Sequence, residues 1–216
     1  MATKAVLFDR DGVLTTFDVP AATAFFQRLV PVSLVEISMR WQSWGARVGF
    51  PRNVTEEKIF FHGFWDALSD EFNLAMDLRQ QLHRFEYTRY VRPFPEVRSI
   101  LLAVRRRGLG IGVLSNFSLA SLEESLVAVN LADVVDVACA ATVIGAAKPA
   151  PEAYLIASHR LGVQPEECLF FDDELVCVEG GRAVGMHAYL VDRRRHDHAL
   201  PQGVVCNLTG ILEILG

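Results

Sequence analysis

Apolar residues in this 216-residue chain follow two patterns. Short runs without a helical period read as buried strands: Ala5-Val6-Leu7-Phe8, Gly110 to Leu114, Val134 to Ala138, Leu169-Phe170-Phe171 and His187 to Val191. Between them, apolar residues three and four apart mark helices. One carries Val97, Ile100, Leu101 and Val104, the next Leu122, Leu126 and Val129, and a third Tyr154, Ala157 and Leu161. Another runs from Val176 to Val184, and a short one closes the chain at Ile211 to Leu215. Gly108, Gly162 and Gly185 stop three of these helices. Strands alternating with helices predict an α/β fold, a Rossmann-like doubly wound parallel sheet covered on both faces.

The stretch from about Phe17 to Val91 has a different texture: no strand pattern interrupts it, and it is too long for a plain connection. Ser33 with Glu36 makes a capping-box pattern ahead of Leu34, Ile37, Trp41 and Trp44 at helical spacing. Asn53 opens a second helix, with Glu56 and Glu57 in the first turn, where the helix dipole favours acids. Its apolar residues form two rows, Phe60, Phe64 and Leu68 beside Phe61 and Trp65, a face wide enough to wall a cleft. Leu74, Leu78, Leu82 and Phe85 mark a third helix. The segment reads as an inserted helical cap over 17–91, with 1–16 and 92–216 forming the core. The chain crosses between the two only at Thr15 to Asp18 and Arg92-Pro93, so these are the expected hinges of a lid that moves as a body. Trp41, Trp44 and Trp65 are expected to pack within the cap rather than face a cleft.

The first strand runs into FDRDGVLTT, residues 8–16. Asp9 and Asp11 sit one residue apart at its end, and Gly12 permits the sharp turn that exposes them. Two crowded carboxylates require a proton or a cation between them. Ligands in a doubly wound sheet bind beyond the carboxyl ends of the strands. Asp9, Asp11, Ser115, Asp172 and Asp173 all fall at such ends, with Lys148 in a loop on the same side. Carboxylates from two strands make an oxygen-rich site suited to Mg²⁺ with retained waters. Ser115 offers a hydroxyl, and the amides after it precede a helix start marked by Ser121 and Glu124, an expected anion site. Metal, hydroxyl, ammonium and free carboxylate together describe phosphoryl transfer through an aspartyl-phosphate.

Composition removes other classes. The formal charge of −5 leaves no basic field for nucleic acid. The longest charge-free apolar stretch, Val137 to Ala147, falls well short of the roughly 20 residues a membrane span needs. The N-terminus has no signal-peptide pattern. Cys139, Cys168, Cys177 and Cys206 have no CxxC spacing and read as reduced, buried thiols, so a soluble cytoplasmic protein is expected. Gly108, Gly110 and Gly112 lie before and inside a strand, which rejects a dinucleotide loop. His196, Asp197 and His198, with the arginine run Arg193-Arg194-Arg195, read as an exposed loop.

Four ordered motifs carry a resemblance: FDRDGVL at 8–14, LSN at 114–116, KPAPEAY at 148–154 and FFDDELVCVEGGRAVGM at 170–186. Together they resemble the haloacid dehalogenase-like superfamily, in its phosphatase branch with a helical cap. The resemblance implies a Mg²⁺-dependent phosphatase of a small phosphorylated metabolite, acting as a monomer or homodimer. It implies that Asp9 attacks phosphorus and that Asp11 protonates the leaving oxygen and then activates water. Ser115, Asn116 and Lys148 would hold the phosphoryl group. Asp173, Asp9 and the backbone carbonyl of Asp11 would bind the metal, with Asp172 as an additional ligand. Dehalogenases of the superfamily carry another residue type at the position of Asp11, so Asp11 points to phosphate esters. Cys177 departs from the Asp or Asn frequent in relatives, which leaves Lys148 with one fewer orienting partner. A phosphomutase shares every core residue, and a dehalogenase-like hydrolase or a catalytically weak binding protein are further alternatives. A response-regulator receiver is disfavoured, because its acidic pair comes first and its phospho-accepting aspartate later.

Overall fold

A computed structural model of the chain describes residues 2–117 and 119–216. Its centre is a parallel sheet built from β1 (Ala5–Phe8), β4 (Gly110–Ser115), β5 (Val137–Ala140), β6 (Cys168–Asp172), β7 (His187–Val191) and β8 (Val204–Val205). The strand order is β5-β4-β1-β6-β7-β8, so β1 lies in the middle, hydrogen-bonded to β4 on one side and β6 on the other. Every residue of β1 is fully buried, which is why the strand is apolar without alternation. Val6 and Phe8 point into one hydrophobic layer and Ala5 and Leu7 into the opposite one. Helices α5 (Val97–Arg106), α6 (Leu122–Ala128) and α10 (Gly210–Leu215) cover the first layer. The second lies under α8 (Pro151–Arg160) and α9 (Leu175–Ala183), with the single turn α7 (Ala141–Ile144) following β5. Phe8, Phe171 and Tyr189 stack across three neighbouring strands, with centroids 5.7 and 5.4 Å apart.

Between β1 and α5 lie α1 (Val19–Phe26), α2 (Leu34–Val48), α3 (Val54–Glu71) and α4 (Met76–His83). They enclose a third hydrophobic cluster around Phe26, Phe64, Trp65, Leu68 and Leu82. The Ser33–Glu36 capping box forms as expected, and Asn53 caps α3 through Glu56 N–H. The entry and exit of this segment hold a feature without a sequence signal. β2 (Thr15–Phe17) and β3 (Val91–Pro93) pair antiparallel, Thr16 opposite Arg92, and the crossing is a hydrogen-bonded ribbon. Three-residue strands are too short to show a period. Among the described residues, no helix is long and apolar enough to cross a membrane.

Several local expectations are corrected. The strand expected over 134–138 begins at Val137, because Asp136 turns its carboxylate to the Ile111 amide at 2.8 Å instead of extending the strand. Ser121 makes no cap to α6; its N–H and hydroxyl both donate to Glu57 of α3, at 2.8 and 2.5 Å. Glu57 is therefore a buried tie between the inserted helices and the sheet domain, and Tyr87 adds a hydroxyl donated to the Ser121 carbonyl at 3.0 Å. Arg193 is not a solvated member of its run. Its guanidinium stacks on Phe94 at 3.4 Å and donates to the carbonyls of Gly12 (2.8 Å) and Val13 (2.5 Å) and to Glu96 (2.8 Å). His198 likewise turns inward, accepting the Cys206 N–H at 3.1 Å. All four cysteines are free and buried.

Truncating Glu57 strands two buried donors of Ser121. Glu57→Ala should lower stability by about 1–3 kcal/mol, and Glu57→Gln, which keeps one acceptor, by less. Urea unfolding of the three proteins checks the order; an alanine variant as stable as the parent contradicts the tie.

Candidate active site

The strand ends meet at one cavity of about 440 Å³. Asp9, Asp11, Ser115, Asn116, Lys148, Asp172 and Asp173 all line it, so the residues singled out in the sequence lie together, joined by Gly12, Trp41, Gln42, Phe117 and Glu174. Trp41 therefore faces the cleft, and Trp65, in the apolar cluster of the inserted helices, stays out of this cavity. The parallel register of β4, β1 and β6 produces this gathering, because it aligns Phe8 with Val113 and with Phe171 and so brings their carboxyl ends level.

At the floor, the Lys148 ammonium donates to Asp9 Oδ1 and to Asp172 Oδ2, each at 2.6 Å. Asp172 keeps its other oxygen for the Glu174 N–H at 2.8 Å. Lys148 thus has two carboxylate partners despite Cys177, whose thiol is buried and pushed up to about 12 by burial and by Asp172. Asn116 holds Lys148 from behind: its side-chain amide donates to the Lys148 carbonyl and accepts the Lys148 N–H, both at 2.8 Å. One N–H and the oxygen of that amide are thereby committed to the Lys148 backbone. Ser115 Oγ accepts the Phe117 N–H at 3.1 Å, so its proton is free to donate elsewhere. Among the described residues after Ser115, the Phe117 N–H turns to Ser115 Oγ and the Ser121 N–H is taken by Glu57, ahead of α6 at Leu122.

Asp11 points away from this floor. Its Oδ2 accepts from the buried Arg10 guanidinium at 2.6 Å and its Oδ1 from Thr15 Oγ1 at 3.3 Å. Arg10 lies 3.9 Å over the Phe117 ring and donates a further hydrogen bond to Ser125. Gly12 is required twice: its φ of +81° is left-handed, and a Cβ there would lie 2.1 Å from the Asp173 carboxylate. The turn after Asp11 exists in this form so that Asp173 can close on Asp9.

One oxygen each of Asp9, Asp172 and Asp173 lies within 4.8 Å of the others. Against these three carboxylates stands one ammonium, an all-oxygen donor set with excess negative charge that suits a hard divalent cation. Asp9 is shifted chiefly by its burial. Burial pushes its carboxyl up to about 7 from the ordinary 3.8, and Asp172 adds to the rise while Lys148 opposes it. Lys148 is itself raised, because Asp9 and Asp172 outweigh its burial. A second cluster, His62, Asp66 and His83, lies on the inserted helices, where both imidazoles hydrogen-bond to Asp66 at 3.0 Å. His196, Asp197 and His198 form no such group among the described residues.

The arrangement is a carboxylate and lysine cluster at the carboxyl edge of a parallel sheet, under a helical insertion. A family model described as haloacid dehalogenase-like hydrolase matches residues 3–185. Phosphatase MT3486 of Mycobacterium tuberculosis is 40% identical over 216 residues, covering 100% of this chain and 98% of that protein. (S)-2-haloacid dehalogenase 2 of a Pseudomonas species is 29% identical over 204 residues, 89% of this chain and 85% of that protein. Among solved structures, an HAD phosphatase from Thermococcus onnurineus superposes with a TM-score of 0.66 at 25% identity, over 99% of this chain and 98% of that one. The chain belongs to the haloacid dehalogenase-like hydrolases.

Because the folded pKa of Asp9 lies above its unfolded value, its contribution favours the fold below about pH 4 and is lost as pH rises through about 7. In excess EDTA, Asp9→Asn should therefore melt higher than the parent at pH 8, and the gain should shrink toward pH 4. Parallel melting curves across that range would contradict the burial penalty on the Asp9 carboxylate.

Proposed function

We propose that the chain is a Mg²⁺-dependent phosphatase that hydrolyses a small phosphate monoester through an aspartyl-phosphate at Asp9. The observation that carries this reading is Asp11, a second carboxyl at the wall of the cavity whose floor holds Asp9 against an ammonium. Hydrolysis of a phosphate ester needs an acid for the leaving oxygen, and a halide needs none.

Lys148 fixes Asp9 Oδ1, which leaves the other carboxylate oxygen to attack phosphorus. The bond from phosphorus to the ester oxygen breaks as the new one forms, and that oxygen takes the proton of the Asp11 carboxyl. Ser115 Oγ–H and the Lys148 ammonium hold the phosphoryl oxygens meanwhile. Asp11, now a carboxylate, accepts a proton from water as the water attacks the aspartyl-phosphate, releasing inorganic phosphate and restoring Asp9. Mg²⁺ would be held by Asp9, Asp173 and the Asp11 backbone carbonyl, with Asp172 behind them, and supplies charge that offsets the approach of a carboxylate to an anion. Residues 17–91 serve as the lid, with the β2–β3 ribbon as the hinge.

Stripping the metal should abolish turnover of p-nitrophenyl phosphate, and Mg²⁺ should restore it; full activity in EDTA contradicts the reading. Asp9→Asn should lose turnover with every substrate, with Mg²⁺ binding measured alongside because Asp9 is also a proposed ligand. Asp11→Asn, which still offers Arg10 an acceptor, should lose roughly 10²–10⁴-fold on an alkyl phosphate and much less on p-nitrophenyl phosphate. Equal losses on both would remove Asp11 from the acid role.

A further inference from the structure

Beside the catalytic cavity lies a second one of about 570 Å³, between the inserted helices and the sheet domain. The two share Asp11, Trp41 and Phe117 as a common wall. The rest of the second chamber is mainly aromatic and aliphatic, with Phe17, Phe61, Trp65 and Phe85 among its walls and Leu34 and Ile37 beside them. From this juxtaposition, we propose that the chamber receives the leaving group of the substrate, and that this group is apolar, an aryl or alkyl moiety rather than a sugar. The proposal rests on the phosphatase reading and adds the substrate class to it.

Two observations carry it. The first is where the acid stands. A group that protonates the leaving oxygen must touch it, and Asp11 lies in the wall between the cavities. An ester whose phosphorus meets Asp9 and whose bridging oxygen meets Asp11 therefore projects its organic part into the chamber. The second is what the chamber can bind. Most of its polar groups are already engaged. The Arg10 guanidinium donates to Asp11 and Ser125, Tyr87 donates to the Ser121 carbonyl, and the Ser33 hydroxyl donates to Glu36. Thr23 and the exposed Ser38 are the remaining hydroxyls. A sugar would leave several hydroxyls unpaired against aromatic walls, a heavy desolvation cost. A second anionic group would find its one cation, Arg10, already paired. The Trp41 Nε1–H in the shared wall has no partner, but an aromatic ring or alkyl chain brings no polar group of its own that needs one and is drawn in by apolar burial. The volume is in the range of small-molecule pockets.

Primary alkyl phosphates test this cleanly, because lengthening the chain changes the apolar area while the leaving-group acidity stays nearly constant. With full-length protein and Mg²⁺, kcat/KM should rise roughly 10²-fold from ethyl to hexyl phosphate, at about fourfold per buried methylene. Hexyl phosphate should also exceed glucose 6-phosphate. Ser38→Trp, which places a ring at the chamber mouth, should flatten the dependence on chain length. A flat series in the parent protein, or glucose 6-phosphate turned over as well as hexyl phosphate, overturns the inference and leaves the phosphatase reading intact. Absence of turnover of any phosphate monoester, p-nitrophenyl phosphate included, overturns the phosphatase reading instead. Calorimetric titration with methyl- and hexylphosphonate then still reads the chamber: tighter binding of the hexyl compound supports an apolar site, and equal affinities overturn it.

Discussion

A single buried ammonium organises the catalytic end of this protein. Lys148 lies between Asp9, just past the first strand, and Asp172 of the sixth, 2.6 Å from each, and is held from behind by the Asn116 side chain after the fourth. One positive charge thus links three separate stretches of chain. Removing Lys148 would leave Asp9 and Asp172 buried without the ammonium that pairs them, a strongly destabilising change. The same arrangement is incomplete electrostatically, because Asp173 joins Asp9 and Asp172 with no further cation among the described residues that line the cavity. Burial raises the Asp9 carboxyl and Asp172 adds to the rise, and three carboxylates gathered against one ammonium favour further positive charge at this point.

The inserted helices complete the site from above. Trp41 reaches down to the catalytic cavity, and Glu57 reaches past it to hold the start of α6. Each contact spans the gap between the helical insertion and the sheet, so the position of the helices and the shape of the chamber are set together. The β2–β3 ribbon constrains the same gap from the other side by pairing the two chain crossings to each other.

Much of this was legible in the sequence, and the reason is local. The run at 5–8, the Asp-x-Asp-Gly turn and the acidic pair at 172–173 each announce a strand end by composition alone, and parallel pairing then has to bring strand ends together. What escaped notice depends on distant partners. Nothing near Ser121 distinguishes a helix cap from an acceptor's target, and the carboxylate that claims it lies 64 residues earlier. Asp136 begins an apolar run, but its carboxylate is drawn to an amide on the neighbouring strand. Trp41, Trp44 and Trp65 share helical spacing with the core, and only the placement of α2 turns the first toward the cleft. Arg193 is one of three consecutive arginines, and no rule singles out the one that folds inward.

The hold of Arg193 on the carbonyls of Gly12 and Val13 bears on how the protein comes into being. The turn that presents Asp9 and Asp11 is synthesised well before the side chain that fastens it, which follows 181 positions after Gly12. Lys148 and Asp172 also arrive late, so an emerging chain carries its two leading aspartates long before anything fixes them. Catalytic geometry is therefore a property of the finished polypeptide. A fragment ending ahead of Arg193 would retain all seven cavity carboxylate, amide, hydroxyl and ammonium residues of the sequence reading and still lack the fastening of their first turn.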